Sequence, residues 1–146
     1  MAHPNVVDSE EDLAAIARSA RTVAVVGMKG DDDPEASAHS VPAALAGRGM
    51  RIIPVNPKLA SALGERAYAA VAALPERVDV VQIFRRSDAV GAVADEILAL
   101  PVERRPSVVW MQSGIRNDEA AERLAAAGMR VVMDRCLSVY AAKYRR

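Results

Sequence analysis

Aromatic side chains are scarce in this sequence, in which they make up 3% of the 146 residues. The core must therefore be built from aliphatic residues, which favours helices packed on a sheet. Proteins that bind single-stranded nucleic acids stack bases on exposed aromatic rings, so the shortage argues against that class. An excess of positive charge is missing too, because 19 basic residues balance 19 acidic ones. No global field therefore draws the chain to nucleic acid or to a membrane.

Cysteine occurs once, at Cys136, which excludes an internal disulfide framework and any metal site built from several cysteines. The apolar runs are all far shorter than the roughly 18 residues that a membrane-spanning helix requires. The amino-terminal segment is acidic and lacks the apolar core of a signal peptide. We therefore expect one cytoplasmic domain of ordinary size.

Five short runs rich in β-branched residues predict strands buried on both faces, as in a parallel sheet covered by helices. These runs are Thr22–Gly27, Arg51–Asn56, Val78–Phe84, Val108–Gln112 and Arg130–Asp134. Helical patterns lie between them, and this alternation is typical of successive βαβ units. The predicted fold is a single α/β domain, Rossmann-like and doubly wound, with a mainly parallel five-stranded sheet and helices on both faces. Residues 1–8 are expected to form a flexible tail.

Capping residues and glycines predict where the helices begin and end. The expected helices are Ser9–Ala20, Ala38–Arg48, Tyr68–Leu74, one opened by Ser87 and one from Asn117 to Gly128. Pro42 is tolerable in the second of these if it lies in the first turn. The polar loop Lys29–Ser37 is longer than a simple connection needs, and such loops often carry function.

In an open α/β sheet a ligand lies beyond the carboxyl ends of the strands, at the switch point in strand order. The first strand ends in Gly27-Met28-Lys29-Gly30. A glycine there lets the backbone approach a pyrophosphate beside a helix N-terminus. Because a tight turn after a strand also needs glycine, this motif alone leaves both interpretations open.

The second strand runs into Asn56-Pro57-Lys58, where an NAD-binding domain would carry an acidic residue for the ribose hydroxyls. An amide and a lysine in that place favour a ligand with an additional ribose phosphate, either NADP or coenzyme A. The alternative is that Asn56 and Pro57 only form a turn.

The next two strand ends are polar as well. Arg85 and Arg86 follow the third strand just before a helix, and guanidinium groups match the geometry of phosphate. Phe84 can flank an adenine or simply pack, while Gln112 and Gly114 bring amide and backbone groups to the fourth strand end. Polar strand ends that converge on one rim predict a binding site there.

The order of these motifs resembles that of the small bacterial CoA-binding-domain proteins, a family similar to the CoA-binding half of the succinyl-CoA synthetase alpha subunit. The segments that carry the resemblance are Thr22–Gly27, Arg51–Pro57, Val78–Val81, Phe84–Arg86, Val108–Asn117 and Val131–Leu137. The resemblance implies a Rossmann-like domain that holds coenzyme A, or an acyl-CoA, across the strand ends.

The resemblance also implies a role for each matching residue along the ligand. The backbone of Gly27, Met28 and Lys29 would face the pyrophosphate, and His39 and Ser40 would help to hold a phosphate or the ribose. Asn56, Pro57 and Lys58 would contact the region of the adenosine 3′-phosphate. Phe84 and Arg85 would border the adenine, and Gln112 and Gly114 would lie along the pantetheine arm.

The sequence departs from the family pattern near its end. Relatives commonly carry an acidic residue and a histidine shortly after the segment Asp134–Leu137, where this chain has Tyr140 and Ala141. We therefore assign no role to the C-terminal tail. The synthetases also contain a second domain with a phosphorylated histidine, so the chain is not expected to be a complete acyl-CoA synthetase.

No catalytic set is evident in the sequence. His39 and Ser40 are adjacent and lack a third partner, so they do not form a nucleophile–base pair. The run Asp31–Asp33 lacks the spacing of a calcium loop and indicates a solvated acidic turn, so we expect no metal.

Cys136 follows Arg135, whose positive charge favours the thiolate form of the cysteine. Two interpretations stay open: a thiol that forms a mixed disulfide with CoA, and a partly buried small apolar side chain.

These observations predict a protein that binds CoA or acyl-CoA without catalytic machinery, as a carrier, sensor or regulatory partner. An NADP-dependent or other dinucleotide-dependent enzyme is the alternative. A homodimer and a complex with another protein are both compatible with the sequence.

Overall fold

The computed structural model describes residues 2–145. At its centre lies a sheet of five parallel strands in the spatial order β2-β1-β5-β6-β7. These strands are β1 (Thr22–Val26), β2 (Arg51–Val55), β5 (Val80–Ile83), β6 (Val108–Met111) and β7 (Arg130–Val132). Two further strands, β3 (Ser61–Ala62) and β4 (Glu65–Arg66), form a small antiparallel hairpin outside the sheet. The predicted parallel α/β architecture and all five predicted strands are confirmed.

Helices cover both faces of the sheet. The α-helices are α1 (Glu10–Ser19), α2 (Ser37–Gly47), α3 (Val90–Leu98), α4 (Asp118–Ala126) and α5 (Leu137–Tyr144). Apolar residues of α1, α2 and α5 pack on one face, and those of α3 and α4 pack on the other. Within residues 2–145 no helix is long and apolar enough to cross a membrane.

The predicted helix caps are present. The Ser9 side chain accepts a hydrogen bond from the Asp12 N–H at the start of α1, and the Asn117 side chain accepts one from the Ala120 N–H at the start of α4. Each cap satisfies a backbone donor that has no partner within its helix. Gly128 follows α4 at a φ of 100°, a conformation typical of the residue that ends a helix.

Two elements were not predicted, and one differs from its prediction. Helix α5 and the β3–β4 hairpin had no counterpart in the sequence analysis, and the expected helix Tyr68–Leu74 is only a 3₁₀ turn over Val71–Ala73. Pro42 lies in the second turn of α2 rather than the first, because the helix already begins at Ser37.

The path of the chain fixes where a ligand can bind. From β1 the chain passes through α2 on one face to reach β2, and it then crosses the opposite face, where Val71 and Leu74 are buried, to reach β5. The two connections diverge between β1 and β5, which are neighbours in the sheet. The crevice beyond the carboxyl ends of these two strands is therefore the expected ligand site of this topology.

Both outer edges of the sheet are covered by other parts of the chain. At the β2 edge, Val55 forms a bridge with Tyr68. At the β7 edge, the Val7 N–H donates to the Val131 carbonyl, and the Val131 N–H donates to the Asn5 carbonyl at 2.8 Å. Asn5 and Val7, within the segment 1–8 that we expected to be a flexible tail, thus pair with β7. Met1 lies outside the described residues.

Candidate functional site

Gly27 lies where β1 ends against β5. Its φ is 84°, and its N–H donates to the Val55 carbonyl at 2.9 Å. A Cβ atom at this position would lie 2.5 Å from the Phe84 carbonyl oxygen and 3.1 Å from Cδ of Arg85. Only glycine therefore allows the two strand ends to approach this closely.

The loop after β1 is held by hydrogen bonds within the protein. The Lys29 N–H donates to the Ala38 carbonyl at 3.1 Å, and this carbonyl is available because Pro42, four residues later, has no N–H to donate to it. The Met28 side chain is buried, and its carbonyl accepts a hydrogen bond from Asn56 Nδ2 at 2.9 Å. The N–H groups of Gly27 and Lys29 are thus used internally, so a pyrophosphate at this loop would need donors other than these two.

The N-terminus of α2 offers such donors. Its N-cap residue, Ala36, has no side-chain hydrogen bond to the helix, and the first turn, Ser37–Ser40, contains no acidic residue. The N–H groups of an uncapped helix start carry partial positive charge and attract anions. Ser40 is exposed on this turn, as a phosphate-contacting residue would need to be.

His39 has a different setting from the one we predicted. Its ring is buried, and Nε2 lies 2.7 Å from Asp31 Oδ1, which also accepts the Leu63 N–H at 3.1 Å. The hydrogen bond from His39, and then the one from Leu63, lower the pKa of the Asp31 carboxyl. Asp31 therefore joins the start of α2 to the β3–β4 hairpin, so it has a structural role beyond that of a solvated acidic turn.

Asn56 forms the turn that the sequence analysis left as its alternative. While its Nδ2 holds the Met28 carbonyl, its Oδ1 accepts the Lys58 N–H at 2.9 Å. Both ends of the amide are thereby engaged in joining the loops after β1 and β2. Pro57 and the Lys58 side chain are exposed at the rim.

An apolar cleft of about 190 Å³ opens at the carboxyl ends of β1 and β2 and runs along α3. Most of its lining is aliphatic, and its charged members are Arg85 and Glu96. The cleft is lined by Val26, Val55, Pro57, Ala69, Ala70, Val71, Arg85, Ala89, Ala92, Val93 and Glu96. It lies on the α3 face of the sheet, whereas the N-terminus of α2 lies on the other face.

Glu96 is the charged residue of this cleft that the sequence analysis missed. Its Oε1 atom is buried and has no hydrogen-bond partner among residues 2–145. A signal was present in the sequence, because Ala89, Ala92, Val93 and Glu96 follow the spacing of one helical stripe. A glutamate in line with three small apolar residues indicates a carboxylate at a partly buried helix face.

The remaining predicted residues lie at the same rim but not in the cleft. Phe84 packs with the residues on the α2 and α5 side of the sheet, so its ring is on the face opposite to the cleft. Gln112 is buried, and its Oε1 accepts a hydrogen bond from Gln82 Nε2 at 2.9 Å. Gly114, at a φ of 82°, donates its N–H to Asp134 Oδ1 at 2.6 Å.

The sequence also matches the model of a known family. A model described as a CoA binding domain matches residues 21–142, which is most of the chain. The chain belongs to this family of CoA-binding domains. The resemblance stated from the sequence motifs is thereby confirmed.

Relatives match this CoA-binding domain over nearly its full length. The uncharacterized protein YneT of Bacillus subtilis (strain 168) is 36% identical over 131 residues, which cover 90% of this chain and 93% of the relative. A solved structure from Thermus thermophilus is 39% identical, has a TM-score of 0.84 and is matched over 94% of this chain and 99% of that chain.

A larger enzyme contains a similar portion. The dinucleotide-forming acetyl-coenzyme A synthetase 1 of Ca. Korarchaeum cryptofilum, in complex with phosphate and ADP, is 26% identical with a TM-score of 0.61. The match covers 82% of this CoA-binding domain and 26% of the synthetase chain. The similarity therefore concerns one part of that enzyme.

Cys136 occupies the N-cap position of α5 in the CoA-binding domain and is partly buried. Its Sγ lies 3.1 Å from Ser138 Oγ. Burial raises the pKa of the thiol, but hydrogen bonds from the Ser138 side chain, the Val139 backbone and the Gln112 side chain outweigh this effect, and the pKa is lowered overall. The surroundings of Cys136 thus stabilise a thiolate.

A metal centre has no support in the described part of the chain. Within residues 2–145 there is no group of three or more His, Cys, Asp or Glu residues placed to hold a metal ion. The rim does carry three cations that could meet a phosphorylated ligand, Lys29, Lys58 and Arg85. None of the ion pairs among residues 2–145 includes Lys29, Lys58 or Arg85.

Proposed function

We propose that this member of the CoA-binding-domain family binds coenzyme A, or an acyl-CoA, in the cytoplasm, and that it acts as a carrier, sensor or regulatory partner without a catalytic group of its own. One observation carries the proposal. At the β1–β5 switch point, an uncapped helix start and an apolar cleft lie on the two sides of Gly27. Coenzyme A likewise joins a diphosphate to an aromatic base.

The residues present fit such a ligand. The N–H groups of Ser37 and Ala38 suit the diphosphate, because an uncapped helix start favours negative charge. Those of His39 and Ser40 donate to the Ala36 carbonyl. The aliphatic walls of the cleft suit the adenine ring, since a planar base gains most from burial between apolar surfaces. Lys29 and Arg85, which lie at the ends of β1 and β5, would add positive charge next to the phosphates.

Lys58 is our candidate for recognition of the adenosine 3′-phosphate. Its backbone is fixed by the hydrogen bond to Asn56 Oδ1, while its side chain takes part in none of the ion pairs among residues 2–145. An exposed ammonium on a fixed turn can meet a phosphate without first breaking another interaction. An NADP ligand also carries a ribose phosphate, so this lysine alone does not distinguish the two ligands.

Ligand-induced stabilisation separates the alternatives. The melting temperature is measured for the purified protein alone and with excess CoA, acetyl-CoA, NAD or NADP. A ligand present at about 100 times its Kd stabilises the folded state by about 2.7 kcal/mol. We expect CoA or acetyl-CoA to raise the melting temperature and NAD to leave it unchanged. A shift with NADP and none with either CoA compound would overturn the proposal in favour of a dinucleotide-dependent protein.

The same measurement on Lys58→Ala tests the contact to the 3′-phosphate. We expect this variant to lose about tenfold in affinity for CoA, as for a charge-assisted hydrogen bond, and to bind dephospho-CoA as the unchanged protein does. Lys143→Ala is the matched control, because Lys143 lies on α5 and is paired with Glu10. Equal losses for CoA and dephospho-CoA in Lys58→Ala would contradict the assignment.

A further inference from the structure

Glu96 presents an unusual feature inside the apolar cleft. Its Oε1 is buried and has no hydrogen-bond partner among residues 2–145, although the residue lines a cleft that a ligand can enter. A buried acceptor without a partner destabilises a protein, and the cost is larger for a charged group. Such an atom is retained at little cost only if something else donates a hydrogen bond to it.

The rest of the cleft limits what that donor can be. The lining residues nearest to Glu96 in the sequence, Ala89, Ala92 and Val93, are apolar, and so are Ala69–Val71. The cation that lines the cleft, Arg85, is assigned to the phosphates under the proposed function. A ribose would leave several hydroxyl groups without partners between these walls, and a phosphate would be repelled by the carboxylate. A flat apolar heterocycle with an N–H donor on its edge satisfies both the walls and the acceptor.

We propose that Glu96 selects the base of the ligand, its carboxylate accepting a hydrogen bond from the exocyclic 6-amino group of adenine. This inference rests on the proposed function, because it places the adenine of coenzyme A in the cleft. It adds a specificity-determining residue that the sequence motifs do not include. Because the carboxylate of Glu96 can only accept a hydrogen bond, the affinity for a purine depends on whether its group at position 6 can donate one.

The position-6 group decides the energy of this contact. Adenine carries an amino group there, which donates to the carboxylate. Guanine and hypoxanthine carry a carbonyl oxygen there, which would face a negative charge without a hydrogen between them. A site that holds a buried polar group discriminates strongly against analogues that leave the group unpaired. Adenine compounds are therefore preferred over the other purines.

The test uses two probes of equal charge. Adenosine 3′,5′-bisphosphate is compared by calorimetry with its purine analogue, in which hydrogen replaces the 6-amino group. Because hydrogen bonds to charged groups are the stronger ones, we expect the protein to bind the adenosine compound about tenfold or more tightly. In Glu96→Leu the two probes are expected to bind equally, and Glu96→Gln, which keeps an acceptor oxygen, should retain part of the preference.

Glu119→Leu is the matched control, since Glu119 is an exposed glutamate on α4 outside the cleft. It should keep the full preference. The melting temperature of Glu96→Leu without ligand should not fall, because the substitution removes an unpartnered buried acceptor.

The outcomes of this test separate the two proposals. Failure of the unchanged protein to bind CoA or adenosine 3′,5′-bisphosphate would overturn the proposed function. Binding of CoA together with equal affinity for the two probes would overturn the role of Glu96 alone. The role of Glu96 would also be overturned if Glu96→Leu kept the full preference for the adenosine probe over its purine analogue. If the leucine variant does not fold, a full preference in Glu96→Gln would have the same meaning.

Discussion

At the scale of single residues, Gly27 has the most demanding backbone position of the site. Alanine there would combine a φ of 84° with a Cβ atom 2.5 Å from the Phe84 carbonyl oxygen. We expect Gly27→Ala to lower the free energy of unfolding by about 2 kcal/mol or more, because β1 and β5 must separate to relieve the contact. Chemical denaturation measures this loss.

Gly64→Ala is the control for the conformational part of that effect. Gly64 also has a positive φ, 75°, but nothing lies within 4 Å of a Cβ atom placed on it. The alanine variant should therefore lose only about 1 kcal/mol, the usual cost of a left-handed conformation for a residue with a side chain. Equal losses in the two variants would mean that the close approach of the strands to each other contributes nothing.

Asn56 shows what the sequence could predict about the site and what it could not. The position of Asn56 at a strand end follows from the apolar pattern of β2, and the rim location was predicted from that pattern. The use of its amide was not predictable, because one partner, the Met28 carbonyl, lies 28 positions earlier in the chain. Such a pairing depends on which strands become neighbours.

His39 and its partner Asp31 differ from expectation for a similar reason, since the Leu63 N–H that shares the carboxylate belongs to a separate hairpin.

At the scale of elements, length and periodicity decided which helices and strands could be predicted. The strands of the sheet are runs of β-branched residues between turn signals, so their pattern is strong. The β3–β4 hairpin has two residues in each strand, which is too short for any periodicity. Helix α5 was missed because Cys136 is a weak N-cap residue and forms no side-chain cap to the helix. Its packing on α1 supplies the stability that local sequence does not show.

The start of α5 sets the acidity of Cys136. Because the hydrogen bonds to the sulfur outweigh burial, the thiol has a lowered pKa and is ionised at a lower pH than an unperturbed cysteine. We expect the rate of alkylation by iodoacetamide to rise with pH at a midpoint below that of a cysteine in an unfolded peptide. The rate is measured across pH on the folded protein and on the protein in denaturant.

Ser138→Ala tests the cause of this shift. The Ser138 side chain is the largest of the contributions that lower the pKa, so its removal should move the alkylation midpoint to higher pH. The control is Ser113→Ala, which changes an exposed serine outside the contacts of Cys136. An unchanged midpoint in Ser138→Ala would show that the serine hydroxyl does not stabilise the thiolate.

At the scale of the whole molecule, the binding site and the sheet edges are separate features of one topology. The switch point between β1 and β5 places the candidate ligand site at the centre of the carboxyl rim. The two outer strands, β2 and β7, would each present unpaired backbone groups, which invite pairing with other chains. Tyr68 pairs with the carboxyl end of β2, and residues 5–7 pair with β7. The candidate ligand site and the segments that pair with the outer strands therefore lie at different places on the sheet.

The cover on β7 leads to a prediction about self-association. In Val7→Pro the chain keeps its length but loses the N–H that donates to the Val131 carbonyl at 2.9 Å. We expect the segment to detach, the free energy of unfolding to fall by about 1–2 kcal/mol, and the exposed β7 edge to promote concentration-dependent association. Denaturation and light scattering at increasing concentration measure the two effects.

Asp8→Pro is the control, because the Asp8 N–H takes no part in the pairing with β7. A Val7→Pro protein that remains as stable and as monodisperse as Asp8→Pro would show that the amino-terminal segment is not needed to cover this edge.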